Sequence, residues 1–222
     1  MLHANRRSAL KLLGGAALSA GILPSLAQPA AAQALDLYVA KKYQNVKRGT
    51  VHSMHPEARS FTIVWEDLGR VKLKASDLVV NEGSSGRGNG YDQLKPGQVC
   101  DVMWYDYIDF LIAPKTAASM AQAKAMTSQG ARIEGVGGSQ PLIKLWEMDG
   151  MVTKVDPANS QIFMIHKSGG ILDNPPVKAG EVIQLPPIVT DQGKAAMASL
   201  KAGDDVVAVY TQQTAINVRI IR

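Results

Sequence analysis

Two stretches of this chain repeat one another, and that duplication constrains the fold more than any other feature. The first opens Gly49-Thr50-Val51, passes the turn His55-Pro56 and continues Phe61-Thr62-Ile63-Val64. It closes with Leu94-Lys95-Pro96-Gly97-Gln98-Val99, leading to Val102, Trp104 and Tyr105. The second runs Gly150-Met151-Val152, Asp156-Pro157 and Phe163-Met164-Ile165-His166, then Leu200-Lys201-Ala202-Gly203-Asp204-Asp205-Val206, leading to Val209 and Tyr210. The order is the same, and a one-residue shift in two places is what a bulge or a turn change produces. Val51 and Phe61-Ile63 alternate with polar partners at period two, as do Val152 and Phe163-Ile165, so each copy reads as a β unit.

Each unit amounts to about five short strands, the last being a return strand at Tyr107–Ile112 in the first copy and Ala215–Ile221 in the second. Asp191–Leu200, with Ala195, Ala196, Met197 and Leu200, suits a short helix before the fourth strand of the second copy. The expected fold is mostly β: two tandem small five-stranded barrels with short helices, OB-like, or SH3-like because the first copy lacks that helix. The expected divisions are a leader at 1–34, a first barrel at 35–114, a helix and Gly-rich linker at 115–141, and a second barrel at 142–222. Thr116–Gln129 reads as the helix and Gly130–Pro141 as the linker. Leu35–Tyr43 reads as another short helix packed on the first barrel. The stretch Gly83-Ser84-Ser85-Gly86-Arg87-Gly88-Asn89-Gly90 lacks the Gly-Lys-Ser/Thr ending of a phosphate loop and reads as a hairpin tip.

Residues 1–34 have a basic start, an apolar Ala/Gly-rich stretch from Leu12 to Leu23 and the small-residue end Ala32-Gln33-Ala34, the pattern of a cleavable export signal. Asn5-Arg6-Arg7-Ser8-Ala9-Leu10-Lys11 resembles the twin-arginine (Tat) motif at both arginines, the Leu and the Lys, and departs from it at Asn5 and Ala9. That resemblance implies delivery to the periplasm by the Tat machinery. The leader takes Arg6, Arg7 and Lys11 of the 24 basic residues and no acid, leaving 21 against 19. So small an excess, dispersed along the chain, carries no nucleic-acid footprint. No later apolar run is long enough for a membrane-spanning helix. Cys100 is the only cysteine, so no intramolecular disulfide forms; its strand-like setting marks it as a small core residue.

Three sets of side chains are candidates for chemistry. His52-Ser53-Met54-His55 offers two imidazoles and a thioether, soft ligands of the kind copper(I) selects, with His52 and Met54 on one face of a strand. In the other copy the same positions hold Thr153, Val155 and Asp156, which points to a core Met54 and a turn His55 instead. His166 aligns with Val64, a solvent-facing strand position. Trp104, Tyr105, Tyr107 and Phe110 crowd one hairpin and form the ligand-binding candidate, since open barrel faces stack aromatic rings on ligands. Asp101, Asp106 and Asp109 have no partnered base, and no nucleophile elbow or zinc-protease helix occurs, so no catalytic residue is assigned.

The Gly-x-Val opening, Val-Asp-Pro turn, Phe-x-Ile strand and Leu-Lys-x-Gly-Asp turn resemble two groups of bacterial exported β-barrel domains. One comprises the OB-fold copper chaperones of silver/copper efflux systems; the other is a broad set of domains of unknown function. The chaperones hold metal with a His, a Trp and a Met-x-Met pair. Here His166 falls in place but is followed by Leu185-Pro186-Pro187-Ile188-Val189, with neither Trp nor Met pair, so the family's ligand set is not carried over. The expected function is a periplasmic, non-enzymatic binding or assembly module with an envelope protein partner and no cofactor. Copper or other metal-ion carriage and cell-wall glycan binding are the alternatives.

Overall fold

The computed structural model describes residues 35–77, 79, 90–137, 142–166 and 178–222. The expected leader at 1–34 and residues 83–89 of the glycine stretch lie outside the described residues. The strands are β1 (Tyr38–Val39), β2 (Gln44–His55), β3 (Ser60–Trp65), β4 (Gly69–Ala75), β5 (Val99–Tyr105) and β6 (Asp109–Pro114). Helix α1 (Ala117–Gln129) follows, then β7 (Arg132–Ile133), β8 (Leu145–Asp156), β9 (Gln161–Ile165) and β10 (Val182–Gln184). Helix α2 (Asp191–Ala198), β11 (Asp205–Thr211) and β12 (Thr214–Ile220) complete the chain. Residues 34–222 form one compact unit.

The protein is mostly β, built on two five-stranded units as the duplication implies. One is a closed barrel of order β12-β4-β3-β2-β5; the other is a sheet of order β10-β9-β8-β11-β6. The two return strands are exchanged. Strand β6 leaves the first copy and pairs antiparallel with β11, while β12 leaves the second and pairs with β5 and, in parallel, with β4. The ranges 35–114 and 142–222 therefore each contribute four strands to one sheet and one to the other. Counted by position, the barrel runs first-second-third-fifth-fourth, the OB-like order.

Turn chemistry explains the exchange. A tight hairpin needs φ > 0 residues, normally Gly or Asn. Asp106-Tyr107-Ile108 and Gln212-Gln213 contain neither, and none of these residues has positive φ. The chain stays extended and crosses to the other sheet. The two crossings bind each other: Thr211 N–H donates to the Ile108 carbonyl at 2.8 Å, and Ile108 N–H donates to Thr211 Oγ1 at 3.0 Å.

The copies superpose in register detail. A bulge interrupts β2 between Val51 and Ser53, and β8 between Val152 and Lys154. Arg59 and Ser160, the non-Gly residues of positive φ among the described residues, close the two Pro-led 3-10 turns. Gly49 and Gly150 both lack room for a Cβ, which would meet the carbonyl oxygens of Val64 and Ile165 at 2.7 and 2.3 Å. This register corrects the sequence alignment by one residue. Phe61 corresponds to Ile162, not Phe163, and His166 corresponds to Trp65, an inward position, instead of the exposed Val64. A slip of one residue moves a strand side chain to the opposite face, so His166 is buried.

The barrel core gathers Phe61, Ile63, Leu73 and Cys100 around the rings of Trp65 and Trp104, which stack with centroids 4.8 Å apart. Such stacking adds about 1 kcal/mol beyond area burial. The second sheet encloses Met148, Ile162, Met164 and Val206 on one face; on the other, Val207, Val209, Leu111 and Leu145 pack with Ala123 and Met126 of α1. Helix α1 starts where expected, with Thr116 as N-cap in a reciprocal capping box with Ser119, and ends at Gly130 with φ +74°. Leu35–Tyr43 is not a helix. Tyr38-Val39 pairs in parallel with Arg132-Ile133, burying Val39, and a 3-10 turn follows at Lys41–Tyr43.

Candidate functional site

The barrel closes where β4 meets β12. Lys74 N–H donates to the Gln213 carbonyl at 2.8 Å and Ser76 N–H to the Ala215 carbonyl at 3.0 Å. Two clefts flank this seam and share Lys74. The larger, about 410 Å³, is walled by Glu57, Arg59 and Asp77 on one side and by Lys144, Trp146 and Leu142 on the other. The Lys144 ammonium sits 4.3 Å from the Trp146 ring centroid, a cation–π contact that holds this wall. The smaller, about 300 Å³, is lined by Arg70, Val71, Lys72 and Lys74 of β4 and by Tyr107, Gln212 and Gln213 of the crossings.

Strand alternation places the three cations. Leu73 and Ala75 are buried in the barrel, so Arg70, Lys72 and Lys74 project from its outer face at intervals of about 7 Å. The neighbouring acid, Asp106, is engaged by three side-chain donors. It accepts from Asn45 Nδ2 at 3.0 Å, Trp104 Nε1 at 3.2 Å and Gln213 Nε2 at 3.0 Å. Those donors pin the crossing that carries Tyr107.

Of the aromatic candidates, Tyr107 alone lines either of these two clefts. Trp104 and Tyr105 are buried, Trp104 against Trp65, and Phe110 packs against the core under α1. Among the metal candidates, the β2 bulge puts His52 and Met54 on different faces. His52 is exposed, whereas Met54 packs on the barrel core. His55 Nε2 lies 3.2 Å from Ser53 Oγ and 3.1 Å from Thr62 Oγ1 in the turn. His166 is buried in the other sheet, its Nδ1 without a partner among the described residues. The four are not brought together, and among the described residues no three of His, Cys, Asp or Glu form a metal-binding group. Cys100 is sealed in the barrel core, where burial, helped by the Asp101 charge, pushes its thiol up to about 11.

The clefts draw on residues that the sequence alone did not single out, Tyr107 apart. The available signal is the alternation Arg70-x-Lys72-x-Lys74 set against its counterpart Val182-x-Gln184-x-Pro186, which emerges only once the register of the copies is known.

No protein-family model matches the chain, and no curated protein does. Among solved structures it is similar to the cytoplasmic molybdate-binding protein ModG, in its PEG-grown form with molybdate bound. The identity is 12%, the match covers 78% of this chain and 94% of that one, and the TM-score is 0.24. A likeness that weak carries neither fold detail nor ligand across.

Proposed function

We propose that the protein is a non-enzymatic binding module, exported by the twin-arginine route to the periplasm, whose ligand seats at the closure seam of the barrel. The observation that supports this reading is the pair of clefts meeting at Lys74, each of a size that takes a small molecule. Rigid strands position the lining side chains, and the crossings that carry Tyr107 and Gln212 tie the site to both sheets. An envelope protein that delivers or receives the ligand is the expected partner.

The test uses Trp146, half-buried in the larger cleft, as reporter beside the buried Trp65–Trp104 pair. Periplasmic small-molecule extract added to the purified protein should change its tryptophan emission and raise hydrogen-exchange protection along β4 and β12. Unchanged emission together with unchanged protection would sink the reading.

A further inference from the structure

We infer that the Arg70–Lys72–Lys74 cleft binds a small, multiply charged oxyanion whose acidic groups are carboxylates or phosphates. The inference rests on the binding-module reading and names its ligand class. Arg70, Lys72 and Lys74 line the cleft, Lys74 also donating to the Ala58 carbonyl at 3.4 Å on the side of the larger cleft, and among the described residues no carboxylate lines it. Arg70 and Lys72 have no ion-pair partner among the described residues. Arg70 and Lys72 stand at strand positions about 7 Å apart, so their like charges repel, and a bound anion relieves that repulsion.

The duplicated copy serves as a control within the same molecule. Strand β10 occupies in the second sheet the place of β4, pairing Val182 with Ile165 and Gln184 with Phe163 as Arg70 pairs with Val64 and Lys72 with Thr62. Val182, Gln184 and Pro186 stand where the barrel has Arg70, Lys72 and Lys74. The fold thus forms this strand without any of the three cations, so their presence together on one face calls for another reason. The larger cleft does not share the property. Glu57 and Asp77 line it along with Arg59, Lys74 and Lys144, so carboxylates there offset most of the positive charge.

The spacing and volume favour a compact ligand with acidic groups at both ends over a single monovalent ion. The Tyr107 ring and the Gln212 and Gln213 amides supply a polar and aromatic flank for its uncharged part.

Amide resonances of the protein would be followed while tripolyphosphate, citrate and neutral maltotriose are added in separate titrations. Tripolyphosphate or citrate should shift Arg70–Lys74 and Tyr107, and whichever binds more tightly identifies a phosphate or a carboxylate source. Lys72→Glu should weaken that binding at least about tenfold, Lys72→Gln by less, and raising salt from roughly 0.02 to 0.3 M should weaken it steeply. An unchanged thermal midpoint in Lys72→Gln shows that the loss is not one of folding. Salt-independent shifts of the same residues by maltotriose would overturn the anionic ligand while leaving the binding module standing. No shift at the cleft with either anion would overturn the inference, and the periplasmic-extract experiment judges the broader reading separately.

Discussion

The two halves of the molecule reach nearly the same architecture with different closures. In the barrel, β4 runs on through Lys74 and pairs with the exchanged strand β12 by main-chain hydrogen bonds. In the other sheet the chain after Leu185 is Pro186-Pro187, which has no N–H at the place where Lys74 donates to Gln213. The seam there stays unpaired, and Asp109, at the position of Ala215, takes over with its side chain. Its carboxylate accepts from Val189 N–H at 2.8 Å, from Thr190 N–H at 3.1 Å and from the Thr190 hydroxyl. A backbone seam leaves outer-face side chains available for ligand contacts; a carboxylate seam fills with apolar residues, Leu185, Ile188 and Tyr210, around a cavity of about 10 Å³.

The largest expected effect comes from removing the strand that closes the barrel from the far end of the sequence. Deleting residues 213–222 takes away β12, whose Ile220 lies opposite Cys100. The barrel should open while the second sheet, which pairs no strand with β12 and takes from it only the packing of Ile216, keeps most of its protection from exchange. Alkylation of Cys100, buried and with its thiol raised to about 11, should accelerate on the order of a hundredfold or more. Equal loss of protection in both sheets would show that exchange had fused them into one cooperative unit.

Next in size is Asp109→Ala. It leaves two main-chain N–H groups and a hydroxyl without their charged acceptor in a buried site, at a cost of about 3 kcal/mol. Urea denaturation should show the loss, with exchange rising first around α2. Gly193→Ala attacks the same seam sterically, since a Cβ there would lie 1.8 Å from Asp109 Oδ2; about 1–3 kcal/mol is expected. A neutral outcome for both would mean that the carboxylate does not replace the missing ladder.

Much of this was legible beforehand, in specific places. The strands, the Pro-led turns and α1 follow from alternation, turn residues and the Thr116 cap. The apolar run Val206-Val207-Ala208-Val209 proves to be buried on both faces, unlike β5, which alternates. The exchange was not legible, because a return strand has the same apolar pattern whichever sheet receives it; only the lack of turn residues at 106–108 and 212–213 hinted at it. The cation row was hidden by a coincidence. Matching Phe61 to Phe163 draws the copies one residue out of register, which faces His166 outward and removes the contrast between β4 and β10.

The smallest expected effect concerns the charged row that crosses the barrel and has no equivalent in the other sheet. Asp101 of β5 lies directly opposite Arg48 of β2 and Arg219 of the exchanged β12. Arg48 donates to it at 2.7 and 3.0 Å and Arg219 at 2.7 Å, and these bonds, Arg48 first, hold its carboxyl well below the usual carboxylate range. The corresponding positions in the second sheet hold Val207, Asp149 and Ala113. A carboxylate whose folded pKa is depressed stabilises the fold above its unfolded pKa, about 3.9, and that contribution fades as pH falls through the folded value. Asp101→Asn should therefore lower barrel stability at neutral pH and make little difference in strong acid. Both arginines are more than half exposed, so solvent screens the row and the shift should be well below that of Asp109→Ala. Hydrogen exchange at pH 7 should place the loss on β2, β5 and β12 alone. A loss that persists unchanged below pH 3 would mean that Asp101 acts by packing, and the charged row would no longer distinguish the barrel from its partner sheet.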